Sequence, residues 1–130
     1  MGYYFSGHAE RSKVLKILVT GVAGFIGMHV ANRLAERGDT VFGIDNLSDY
    51  YDDGLKLSRL DKLKPLSKFA FQKCDISDHE ELKRIFQNEI FDCVVHLAAQ
   101  AGVRYSITSP RPYMSTNMLG FLNVLECFWT

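Results

Sequence analysis

The sequence predicts an α/β fold, a doubly wound parallel sheet of about four strands in the order 3-2-1-4. Three observations lead there. Short β-branched and aromatic runs alternate with segments of helical period, the pattern of strands joined by helical crossovers. The first run passes through a glycine-rich turn directly into a helix, the unit with which such sheets begin. At 130 residues the chain is one domain's worth, long enough to bury a core, with no repeats or low-complexity tracts. The last helix has no strand after it, so the sheet is expected to be incomplete.

The elements follow in order. The first strand spans about Val14 to Thr20. The first helix runs from about Gly24 to Arg37, with Ile26, Val30 and Leu34 on one stripe, and Gly38 supplies a left-handed stop. Thr40 to Ile44 is a second buried strand ending at Asp45. A polar loop and a short helix, about Gly54 to Leu63, are closed by Pro65. Phe69 to Lys73 is the third strand, and Ser77-Asp78-His79-Glu80 is a capping box for a helix whose apolar face is Leu82, Ile85 and Phe86. Phe91 to His96 is the fourth strand. A long loop leads to Pro112, where a last helix begins and runs to about Phe128. Residues 1–13 read as a tail and 14–130 as one domain.

Composition narrows the function. Lys plus Arg (15) equals Asp plus Glu (15), so there is no electrostatic footprint for nucleic acid. No apolar run approaches the roughly 20 residues that span a bilayer, and the N-terminus lacks the apolar segment of a secretory signal. Cys74, Cys93 and Cys127 are scattered and odd in number, which points to reduced thiols in a cytoplasmic protein. The aromatic cluster Tyr3-Tyr4-Phe5 fits a frayed tail or a partner contact.

The stretch from Val19 to Gly27 carries the chemistry. Its spacing is Gly-x-x-Gly-x-x-Gly, at Gly21, Gly24 and Gly27. Gly21 turns the chain off the strand, Gly24 admits a close backbone approach, and Gly27 lets the helix pack tightly. Glycine turns also arise for steric reasons alone. Here strand and helix flank the turn as in a Rossmann-like dinucleotide site, with the pyrophosphate expected on the amides of Ala23, Gly24, Phe25 and Ile26. Asp45, with Asn46 beside it, lies about 18 residues beyond Gly27, close to the ~20 at which an acid receives the adenosine ribose. That charge favours NAD over NADP; a turn-forming acid is the plainer alternative.

Other residues are candidates of the same site. Asp75 and Ile76 end the third strand, where Asp75 suits either the adenine amino group or a structural turn. In His96-Leu97-Ala98-Ala99-Gln100, the small Ala98 and Ala99 let the backbone press against a dinucleotide, while His96 reads as a core or supporting histidine. Arg104 and Ser106, in the loop after the fourth strand, could bind a substrate carboxylate or phosphate, or sit on the surface. Asp49, Asp52 and Asp53 suit a solvated helix entry better than a cation site, and no histidine spacing suggests a metal.

With these residues assembled, the chain resembles the extended short-chain dehydrogenase/reductase superfamily, within it the UDP-glucuronate 4-epimerases. The stretches GIDNLSDYYDDGLKLSRLDKL (43–63) and FDCVVHLAAQAGVRYS (91–106) carry the finer resemblance, and 112–126 is similar to the family's fourth helix. The resemblance covers about Lys16 to Glu126. It implies a tightly held NAD, a UDP-sugar substrate oxidised at C4 and re-reduced on its other face, and a Tyr-x-x-x-Lys pair as the acid–base group. None of the six tyrosines here has Lys four residues later, so the catalytic segment and the sugar-binding domain are expected to be absent from this chain. Asn117 alone matches a residue the superfamily links to the catalytic group, through a helix distortion and a proton-relay water. The resemblance also implies a homodimer through the C-terminal helix, which is apolar on more than one face. A non-catalytic NAD-binding or scaffold module, or part of another nucleotide-sugar dehydratase or reductase, is the alternative reading.

Overall fold

Apolar runs of four to six residues fix the centre of the molecule. In the computed structural model, which describes residues 13–48 and 53–130, they form β1 (Lys16–Thr20), β2 (Thr40–Asp45), β3 (Phe69–Lys73) and β4 (Cys93–His96). All pairings are parallel and the order is β3-β2-β1-β4, as the alternation of elements predicts. Leu18 is the register centre, opposite Phe42 on one side and Val94 on the other. β1 starts two residues later than its apolar run, because Val14 is exposed. β4 starts at Cys93 although Phe91 before it is buried.

Successive side chains of β1 point to opposite faces, so each face has its own core. Ile17 and Val19 pack with Val22, Met28, Ala31, Leu60 and Leu63, under α1 (Phe25–Glu36) and α2 (Asp53–Leu63). Leu18 packs with Ile44, Ile76, Leu82, Ile85, Phe91 and Val124, under α3 (His79–Asn88) and the C-terminal helices. The stripe that α1 buries is Gly27, Met28 and Ala31, with Leu34 and Ala35 beside it. Ile26 is exposed instead of leading the stripe. Small residues win that face because they bring the helix axis closer to the sheet. Gly38 (φ +99°) ends α1, with Asp39 N–H donating to the Leu34 carbonyl and Gly38 N–H to Ala35.

Two boundaries differ from expectation. The cap of α3 is Asp78, whose carboxylate accepts from Glu81 N–H at 3.1 Å. The cap is thus one residue later than the expected Ser77, whose hydroxyl is engaged by Asp75. It is a side-chain cap without the reciprocal half of a capping box, because Asp78 N–H donates to the Asp75 carbonyl at 2.9 Å. The segment expected to be a long loop and one helix is four pieces: α4 (Val103–Thr108), α5 (Pro110–Tyr113), a π-helical stretch (Met114–Gly120) and α6 (Phe121–Trp129). The Tyr113 hydroxyl donates to the Gly102 carbonyl and ties the start of α4 to α5. Among the described residues no helix is long and apolar enough to cross a membrane. Tyr3, Tyr4, Phe5, Asp49 and Asp52 lie outside the described residues, as do the expectations placed on them.

Candidate functional site

The glycine turn leaves β1 at Gly21 with φ +68°. A Cβ there would stand 2.7 Å from the Ala98 nitrogen, so the main chains of the turn and of the segment after β4 touch directly. Gly27 answers a second close approach: a Cβ would fall 2.0 Å from the Gly21 carbonyl oxygen. The turn is therefore packed against the first turn of α1, not only the helix against the sheet. Gly24 precedes α1 without any side-chain cap, and Met28 N–H is the first to find an intrahelical acceptor, the Gly24 carbonyl. The amides of Phe25, Ile26 and Gly27 form the uncapped first turn, the arrangement that receives an anionic oxygen. Two amides expected in this role are spent elsewhere. Ala23 N–H donates to Asp45 at 3.1 Å, and Gly24 N–H closes the turn on the Gly21 carbonyl.

Thr20, which the sequence reading passed over, is the knot of the site. It is fully buried at the end of β1, and its Oγ1 accepts from Leu97 and Ala98 N–H, both at 3.0 Å. That oxygen lies 2.8 Å from His96 Nδ1. With two N–H groups already accepted, the hydroxyl proton points to Nδ1, which leaves the ring proton of neutral His96 on Nε2. Burial pushes the imidazole below its ordinary value, in keeping with a neutral supporting histidine.

A cavity of about 300 Å³ opens above these strand ends. Of the residues singled out from sequence, Gly21, Gly24, Phe25, Asp45, Asn46, Ile76, Leu97, Ala98, Ala99 and Gln100 line it, joined by Leu55, Lys56, Arg59 and Thr116. Ala23 and Gly27 are buried behind it and Ile26 faces outward. Asp45 is buried, and its carboxylate accepts from Ala23 N–H, from Leu47 N–H at 2.8 Å and from Lys56 Nζ at 3.2 Å. Asp75 is not in the lining: its Oδ1 accepts from both the amide and the hydroxyl of Ser77, the turn-forming role.

The loop after β4 divides. Gln100 and Ala101 reach the cavity, whereas Arg104 is exposed on α4 and the Ser106 hydroxyl donates to the Val103 carbonyl, so neither lines it. Asn117 is central to the π-helical stretch and grips the Gln100 main chain in both directions. With His96, Ala98 and Phe121 it also lines a second, shallow depression beside β4. A helix distortion at Asn117 is what the resemblance leads one to expect. Among the described residues no group of three or more candidate ligands could hold a metal ion.

The chain is similar to known proteins over most of its length. Residues 18–130 match the family described as GDP-mannose 4,6 dehydratase. The chain belongs to that family. The family lies within the extended short-chain dehydrogenase/reductases that the motifs resemble, and this chain corresponds to their N-terminal part. Protein CapI of Staphylococcus aureus is 48% identical over 115 residues, 87% of this chain and 34% of that protein. UDP-glucuronate 4-epimerase 6 of Arabidopsis thaliana is 44% identical over 121 residues, 93% of this chain and 26% of its own length. The solved UDP-glucuronic acid 4-epimerase of Bacillus cereus, in complex with UDP-glucuronic acid and NAD, superposes with a TM-score of 0.78 at 36% identity, over 87% of this chain and 36% of that one. The chain thus spans about a third or less of the length of these family relatives.

Proposed function

We propose that this chain is the NAD-binding portion of a nucleotide-sugar 4-epimerase, one that interconverts UDP-glucuronate and UDP-galacturonate. The observation that carries the reading is the cavity in which the uncapped first turn of α1, Asp45 and the main chain at Ala98 converge. The residues fit a dinucleotide. Amides of Phe25 and Ile26 would hold the pyrophosphate, Asp45 and Asn46 the adenosine ribose, Ile76 the adenine, and Ala98 and Ala99 leave room along the middle. NAD, when bound, supplies a hydride acceptor that takes a hydride from the sugar C4 and gives it back.

This chain's share of that reaction is to bind and orient. Thr20 and Asn117 hold the segment 97–100 against the cofactor's path, and neutral His96 supports it from below. No tyrosine here has lysine four residues on, so the proton transfer at the C4 hydroxyl falls to residues of a longer protein, as does sugar binding. The three free thiols fit a cytoplasmic location. A homodimer belongs to the same proposal, because Leu119, Phe121, Leu122, Leu125 and Phe128 leave an exposed apolar face along the C-terminal helices.

Calorimetric titration of the purified chain with NAD tests the reading. Saturable one-site binding is expected, and heat indistinguishable from dilution at millimolar NAD would refute it. Sedimentation at micromolar concentration tests the dimer, which a soluble monomer would exclude.

A further inference from the structure

We propose that Asn123 is a positioning residue for the adenosine half of the dinucleotide. From α6 it fixes the Ile76 wall of the cavity, while Asn117 fixes the wall at Gln100. The inference rests on the cavity being a dinucleotide site.

The two walls stand at opposite edges of the sheet. Ile76 follows β3 and Gln100 follows β4, with β2 and β1 between them. Three strand spacings of about 4.8 Å put the walls roughly 14 Å apart, so a dinucleotide laid across the strand ends meets them with different halves. Asp45 ends β2, beside β3, which turns the adenosine half towards Ile76. Ile44, Leu55, Cys74 and Ile76 make that end of the lining apolar, as a flat base requires.

Ile76 is where the main chain leaves the sheet. The ladder to β2 ends with Cys74 N–H donating to the Asp45 carbonyl at 3.1 Å. Asp75 then closes a turn, its carbonyl accepting from Asp78 N–H and its carboxylate from Ser77. The Ile76 carbonyl falls outside the ladder, and Asn123 Nδ2 donates to it at 2.9 Å. Asn123 is buried, and Val124 next to it packs in the core around Leu18. A leucine would fill the same place; what it lacks is the donor, and a buried carbonyl left without one is costly. One turn earlier in the helix Gly120 is also buried, and a Cβ there would stand 2.6 Å from Ile76 Cγ1 and Cδ1. The helix thus holds Ile76 by side chain and carbonyl together. Asn123 does not itself line the cavity, so it acts through Ile76.

Calorimetric titration with ADP, which carries only the adenosine half and the pyrophosphate, and with NAD separates the two asparagines. Asn123→Leu is expected to weaken ADP and NAD alike, roughly tenfold, the size of one hydrogen bond lost from a buried acceptor. Asn117→Ala is expected to weaken NAD but to change ADP less than about twofold, because the two walls are too far apart to couple strongly. A general loosening of the fold would weaken ADP in both variants, so equal ADP losses would overturn the proposal. So would an Asn123→Leu chain that binds ADP as the natural one does. The natural chain gives a second readout that needs no variant. In its nitrogen–proton spectrum ADP should shift the side-chain amide of Asn123 and leave that of Asn117 in place, while NAD shifts both. ADP that binds without shifting Asn123 would overturn the proposal and leave the dinucleotide site standing. Failure of the natural chain to bind either ADP or NAD would overturn both.

Discussion

Asn117 holds Gln100 by both of its main-chain groups: Gln100 N–H donates to Asn117 Oδ1 at 2.8 Å, and Asn117 Nδ2 donates to the Gln100 carbonyl at 3.1 Å. The side chain thus satisfies a strand-end segment as a neighbouring strand would. It does so from a π-helical turn, whose extra residue re-aims the side chain relative to a regular helix.

Asn117→Ala removes both bonds and leaves two partly buried main-chain groups without partners. A loss of about 1–3 kcal/mol in unfolding free energy is expected, read from urea unfolding, with weakened NAD binding by calorimetry. A variant as stable as the natural chain would show that water replaces the clasp.

Gly27→Ala places a methyl group 2.0 Å from the Gly21 carbonyl, and backbone cannot move aside as a side chain can. The variant is expected to shift the start of α1, lose on the order of 2 kcal/mol in stability and lose measurable NAD affinity. Thermal melting and titration check both effects; a silent substitution would show that the turn is not packed as described.

Thr20→Val keeps the shape and removes the hydroxyl acceptor of two part-buried amides. Of these, Leu97 N–H retains the Thr20 carbonyl at 3.2 Å and Ala98 N–H is left without its acceptor. About 1–3 kcal/mol of stability should go, and Thr20→Ser should keep most of it. Denaturant midpoints of the two variants decide the point.

His96 gives a pH dependence whose direction follows from its burial. Its folded value lies below the ordinary 6.5, so the unfolded chain takes up the proton first. The stability tied to neutral His96 is present above pH 6.5 and is lost as the pH falls below it towards the folded value. Unfolding measured between pH 5 and 8 should show this slope, and His96→Gln should flatten it relative to the natural chain.

Strands and their order were readable because β1, β2 and β3 are apolar runs bounded by glycine, proline and acids, and parallel pairing follows from the intervening helices. What escaped is explained by scale and chemistry. The stripe of α1 was misplaced because Gly27 and Ala31 pack closely without looking apolar, while Ile26, which does, faces outward. The six residues of α4 are too few to show a period. Asp78 took the cap from Ser77 because Asp75 already holds the Ser77 hydroxyl. In the site, Gly21, Asp45 and Ala98 declare themselves by spacing. Thr20 and Lys56 do not, since their partners lie 77 and 11 residues away in sequence and only the fold joins them.

The Thr20 contacts carry a consequence for the order of events during folding. The glycine turn belongs to the first strand–helix unit, yet its far wall is the main chain at Leu97 and Ala98. Pairing so remote in sequence closes late, after the loop-closure entropy of the whole intervening chain has been overcome. A ribosome-bound chain that has emerged only through β2 can form the turn and the start of α1 but not the cradle. On the proposed dinucleotide reading, capture of the nucleotide would report that β4 has docked, and its kinetics during refolding would time that step.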